Sequence, residues 1–141
     1  MSKDAYLDRL RAVPMFAALS KKELAAVLRA GGPLQYPAGH KVIREGTPGS
    51  ELWVVISGDL TVSRDGDTVD TLGPGDFFGE LAVIDPAPRN ATITADTAAE
   101  LVAIDGRRFW ALMEQAPPVA RKLMVHLARR VREHDAQPVS G

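Results

Sequence analysis

The chain has 141 residues, 45% of them apolar and 25% charged, so it is long enough to bury a substantial core and too apolar to stay disordered. Seventeen Lys and Arg stand against eighteen Asp and Glu, and a net charge of −1 excludes any global attraction to nucleic acid or to an anionic membrane. The absence of cysteine removes disulfides, thiolate metal sites and thiol nucleophiles.

Helical spacing opens the sequence, with Leu7, Leu10 and Val13 at steps of three before Pro14 interrupts. Ser20 precedes KKELAAVLRA with Glu23 three residues on, the reciprocal capping pattern. Leu24, Val27 and Leu28 form one face of this second helix, and Gly31-Gly32-Pro33 is expected to end it. From Leu34 to about Asp105 short β-branched and aromatic runs alternate with turn residues, which predicts strands over 41–44, 52–57, 60–64, 68–72, 91–95 and 101–104. A small antiparallel barrel or jelly roll is the economical way to hide their edges. Helical periodicity then returns. Phe109, Leu112 and Met113 share one stripe, and Pro117-Pro118 leads into a longer helix over about 119–134. On it, Val119, Leu123, Leu127 and Val131 recur every four residues opposite a basic face of Arg121, Lys122, Arg129 and Arg132. Such a narrow stripe needs a partner surface, either the chain's own β region or a second copy of the helix. Residues 135–141 read as a flexible polar tail.

One stretch inside the β region breaks the strand pattern: GDFFGELAVIDPAPRNAT, from Gly75 to Thr92. Its middle has the look of one helical turn. Gly79 lets backbone approach a ligand closely, and the amides that follow suit a phosphate. The planar fork of Arg89 can hold two phosphate oxygens, so amides plus one arginine match a singly charged phosphodiester. Glu80 has no business beside a phosphate unless it accepts a hydrogen bond from something else, and a neighbouring sugar hydroxyl is an apt donor. On the residues alone, a salt bridge between Glu80 and Arg89 remains the alternative.

The stretch FGELAVIDPAPRNATI closely resembles the phosphate-binding cassette of cyclic nucleotide-binding domains, with the family's spacing between Glu80 and Arg89. Upstream, Pro37-Ala38-Gly39, Val42-Ile43, Glu45-Gly46, Pro48-Gly49 and VVISGDLTV match as well, so the resemblance covers about 16–134. It implies that Glu80 accepts from the ribose 2′-hydroxyl and that Arg89 clamps the cyclic phosphate. Backbone groups of Gly79, Leu81, Ala82, Asn90 and Ala91 would line the same cradle. Val62 and Leu72 align with apolar walls for the base, although strand alternation alone also places them inward. Arg130 aligns with a base contact on the family's mobile lid helix, against the alternative of plain solvent exposure. After the arginine many cyclic AMP receptors carry alanine or serine and cyclic GMP receptors often carry threonine. Asn90 is neither, and its amide can meet a phosphate oxygen or a guanine, so the missing hydroxyl favours cyclic AMP with cyclic GMP as the alternative ligand.

The reading that results is an α+β chain. N-terminal helices, an eight-stranded antiparallel β jelly roll (double-stranded β-helix), a short cassette helix and C-terminal lid helices form a single domain over 1–134, with the roll at about 34–105. No catalytic role, metal or cofactor is expected. His40, His126 and His134 are too scattered for a metal motif, and Ser57, Ser63 and Thr92 lack a nucleophile's context. The arrangement resembles the sensor half of catabolite-activator-type regulators, yet the sequence after the long helix has no room for a helix-turn-helix. Expected partners are a cyclic nucleotide, an effector protein or fused effector domain, and a second copy through the terminal helix, with no nucleic acid and no membrane. With no run near the ~18 apolar residues of a membrane span and no basic leader, the default location is the cytoplasm. The competing reading is an interaction module whose nucleotide pocket is vestigial.

Overall fold

A computed structural model of the chain describes residues 3–136. Two helices, α1 (Lys3–Arg11) and α2 (Lys21–Ala30), come first. Eight strands follow: β1 (Gly31–Tyr36), β2 (Lys41–Ile43), β3 (Glu51–Ser57), β4 (Leu60–Arg64), β5 (Asp67–Leu72), β6 (Phe77–Phe78), β7 (Thr92–Ala95) and β8 (Ala99–Asp105). The short helix α3 (Glu80–Ile84) sits between β6 and β7, while α4 (Gly106–Gln115) and α5 (Pro117–Ala136) close the chain. The strands form two four-stranded antiparallel sheets, ordered β1-β8-β3-β6 and β2-β7-β4-β5, which is the expected α+β jelly roll.

Period-two alternation explains why β3 and β8 are apolar on both sides. Leu52, Val54, Val102 and Ile104 face the helices and join Leu10, Phe16, Val27, Phe109, Leu112 and Val119 in one core. Trp53, Val55, Ala99 and Leu101 face the other way, meeting Ile43, Leu60, Ile93 and Ala95 inside the roll. A strand buried on both faces needs this continuous apolar run.

The expected capping box is present at α2. The Ser20 hydroxyl accepts from the Glu23 amide at 3.1 Å, and the Glu23 carboxylate accepts from the Ser20 amide at 2.9 Å. Gly31-Gly32-Pro33 ends α2 as expected, with the helix stopping at Ala30 and Gly31 as its cap, but the segment also has a second role. Gly31 is extended, with φ −155°, and these three residues already belong to β1. What Gly31 supplies is room, since a Cβ there would strike the Ala103 carbonyl on β8. Pro33 is tolerated because β1 lies at a sheet edge. The strands missing from the sequence reading are thus β1, disguised as a helix terminator, and β6, only two residues long.

The α5 stripe divides. Val119 and Leu123 are buried and Leu127 packs partly against the helical core, but Val131 is 60% exposed. The expected basic face, Arg121, Lys122, Arg129 and Arg132, is exposed. Helix α5 runs to Ala136, two residues into the expected tail, and residues 137–141 lie outside those described. No helix among the described residues is long and apolar enough to cross a membrane.

Candidate functional site

Chain geometry around Gly79 builds the site. Gly79 caps α3 in the left-handed region, φ 87° and ψ 0°, which a side chain adopts only with strain. A Cβ here would also come within 2.6 Å of the Glu51 carbonyl, so the turn passes tightly over the start of β3. This places Glu80 inward at 2% exposure, with Ala82 and Val83 buried beside it.

Glu80 does not pair with Arg89. Its Oε1 lies 3.2 Å from Nη1 of Arg130, which reaches in from α5. The loop-salt-bridge alternative therefore fails, and Arg130, although half exposed, is brought to the site by its tip. One turn earlier on α5, His126 lies against Phe77, with ring centroids 4.2 Å apart.

Arg89 is 7% exposed and held from several sides. Nη1 donates to the Gly79 carbonyl at 3.1 Å and Nη2 to the Glu51 carbonyl at 3.0 Å. Its Cζ sits 5.4 Å from the Trp53 ring centroid. The backbone is locked too: the Arg89 amide donates to the Thr47 carbonyl, and the Arg89 carbonyl accepts from Gly46. Among the described residues no carboxylate comes within ion-pair distance of this guanidinium. Burial pulls its pKa below the ordinary arginine value, while the charges of Glu51 and Glu80 push it back up. An opening of about 330 Å³ borders Arg89, lined in part by Tyr36, Ile43, Arg44, Thr47, Gly49 and Trp53.

Other expected positions surround this centre. Ala91 is buried, whereas the Asn90 side chain and Leu81 are exposed. The Asn90 carbonyl accepts from Nε of Arg64 at 2.9 Å, which ties the loop to β4. Val62 and Leu72 are half buried against the core inside the roll. Sequence reasoning missed Trp53, Gly49 and the Glu51 carbonyl. The advance signals were an aromatic residue inside a strand of aliphatic neighbours and, for Gly49, the Pro48-Gly49 match. Among the described residues no group of three His, Asp or Glu could hold a metal ion.

A larger cavity of about 420 Å³, lined by residues including Gln35, Ser57, Ala99 and Glu100, has no cassette residue in its wall. Its buried Glu100 is met by Arg9 of α1 at 3.1 Å.

Comparison with known proteins shows the family and the fold. Residues 33–116, more than half of the chain, match the family model "Cyclic nucleotide-binding domain". A CRP-like cAMP-activated global transcriptional regulator of Mycobacterium tuberculosis is 33% identical over 123 residues, 84% of this chain and 55% of that protein. The chain thus spans about half the length of this curated relative. Among solved structures, the Thermus thermophilus catabolite activator protein superposes with a TM-score of 0.77 at 34% identity, covering 86% of this chain and 60% of the other. PKAR CBD2 with Sp-2Cl-cAMPS bound gives a TM-score of 0.76 at 26% identity, covering 96% of this chain and 93% of the other. The chain belongs to the cyclic nucleotide-binding domain family.

Proposed function

We propose that the chain binds cyclic AMP between Arg89 and Glu80 and acts as a regulatory sensor that signals through α5. The observation that carries this reading is Arg89 itself, a buried cation with no carboxylate at ion-pair distance among the described residues. A buried charge without a counter-ion is costly, and an entering monoanion removes that cost. Gly79 and Glu80 restrict which anion fits. The buried Glu80 carboxylate repels a second negative charge and accepts from a hydroxyl, the combination offered by a cyclic phosphate fused to a ribose. Backbone of Gly79, Leu81, Ala82, Asn90 and Ala91 completes the cradle, and Val62 and Leu72 wall the base.

The choice of cyclic AMP rests on Asn90 in place of a hydroxyl residue, and on relatives whose descriptions name cAMP or a cAMP analogue. Cyclic GMP is the weaker ligand in this reading. The chain works as a regulator and not a catalyst, without metal or cofactor, in the cytoplasm. Its effector is a partner protein or a fused domain. Val131 and Met124, both exposed on α5, support a homodimer through that helix.

Calorimetric titration with cyclic AMP tests the reading. Wild type binds, and Arg89→Ala loses about 2–5 kcal/mol, roughly 30-fold to several-thousand-fold in affinity. A 2′-deoxy cyclic nucleotide binds wild type poorly, and Glu80→Ala discriminates much less between the two sugars. Unchanged binding in Arg89→Ala rejects the site. A wild type that binds no cyclic nucleotide leaves the vestigial-pocket reading in its place.

A further inference from the structure

We propose that Trp53 is a positioning residue that holds the Arg89 guanidinium ready for phosphate, an inference that rests on reading Arg89 as the anion-binding group. Trp53 lies in β3, 6% exposed, with its side chain inside the roll. Its cross-strand neighbour in β6 is Phe78, and the two rings stack 5.5 Å apart with planes 14° from parallel. That stack fixes the plane of the indole. Arg89 Cζ then sits 5.4 Å from the indole centroid, within the range where the ring's quadrupole attracts a cation.

Two glycines leave the space this arrangement needs. A Cβ at Gly49 would fall on the guanidinium, and one at Gly79 would come within 3.1 Å of Nη1 and 3.3 Å of the Trp53 ring. The guanidinium is therefore confined by ring and backbone together, with its two terminal nitrogens donating to the carbonyls of Gly79 and Glu51.

Donor arithmetic shows what the ring contributes. A guanidinium has five N–H groups. Two are committed to carbonyls, and three remain for an anion. A carboxylate in the place of Trp53 would neutralise the buried cation but occupy those donors and repel a phosphate. An aliphatic side chain would leave the donors free and the charge unsupported. The indole face attracts the cation and takes no N–H, so Arg89 stays buried, oriented and available.

The experiment uses the full chain carrying Trp110→Phe, which leaves Trp53 as the sole tryptophan of the two. Tryptophans bearing increasing numbers of fluorine atoms are incorporated at position 53. Fluorine drains the electrostatic attraction of the ring face with little change of shape. Cyclic AMP affinity falls stepwise along the series, by about 3- to 30-fold in all, while the thermal midpoint stays level. Trp53→Phe recovers most of the affinity lost in Trp53→Leu. Should Trp53→Leu fail to fold, the fluorine series still decides. Affinity that is flat or rises with fluorination overturns the positioning role, and so do equal losses in Trp53→Phe and Trp53→Leu. If the unfluorinated Trp110→Phe protein binds no cyclic AMP at all, the underlying reading of Arg89 falls first and this inference with it.

Discussion

Arg130 of the last helix ends 3.2 Å from the buried Glu80 carboxylate, an ion pair that ties α5 directly to the turn after Gly79. With His126 lying on Phe77 one helical turn earlier, α5 touches the chain on both sides of that glycine. In the proposed reading, a ligand that engages Glu80 acts through this ion pair on the seating of the terminal helix.

Arg130→Gln is expected to loosen α5. Leaving a buried carboxylate short of its partner costs about 1–3 kcal/mol, and α5 amides should exchange faster in the ligand-free variant than in wild type. Adding cyclic AMP changes α5 protection in wild type and changes it less in Arg130→Gln. Leu127→Glu, which puts a charge on the packed stripe, shifts affinity or self-association. Hydrogen exchange that responds to ligand only in the cassette, with a silent Leu127→Glu, would remove the switch and leave a passive binder.

Gly49→Ala is expected to weaken cyclic AMP binding by at least about tenfold, or ~1.4 kcal/mol, because the new methyl occupies the place of the Arg89 guanidinium. Gly32→Ala is the control, since a Cβ there meets nothing within 4 Å. Titration of both variants beside wild type checks the claim. Equal affinities for Gly49→Ala and Gly32→Ala would show that Arg89 need not sit where it does.

In the proposed reading, selectivity rests on Asn90. Cyclic AMP should outcompete cyclic GMP on wild type, and Asn90→Thr should narrow the gap by supplying a hydroxyl. A competition assay in which wild type prefers cyclic GMP reverses the assignment.

Alkaline pH tests the helical side of the molecule. Burial, reinforced by the Glu100 charge and opposed by Arg9, pushes the Tyr6 phenol up to about 12. The fold favours the neutral phenol, so its contribution is complete below the unfolded value of about 10 and lost as pH rises through about 12. Urea unfolding at stepped pH should show wild type losing stability relative to Tyr6→Phe across that window. At neutral pH the two should differ by less than about 1 kcal/mol, because the hydroxyl finds no hydrogen-bond partner among the described residues. A difference that does not vary with pH would contradict the burial.

Local chemistry made much of this chain legible from its residues. The capping box at Ser20 and Glu23, the return of helical period after Asp105 and the spacing of Gly79, Glu80 and Arg89 depend on neighbours within a few positions, so one-dimensional pattern suffices for them. Tertiary contact decided the rest. Gly31-Gly32-Pro33 reads locally as a helix stop, and only pairing with β8, about seventy residues later, makes it a strand. The two-residue β6 is too short to show a period, yet it sets Phe78 beneath Trp53. Glu80 carried two candidate partners in the sequence, and the fold supplied a third, Arg130, fifty residues away. The motif singled out Arg89, but the groups that bury it without neutralising it, Trp53 and the Glu51 carbonyl of β3 and the Gly79 carbonyl at the start of α3, come from segments that only packing brings together. Side-chain identity sets which charges exist; the distance between them, and hence their energy, exists only in the folded chain.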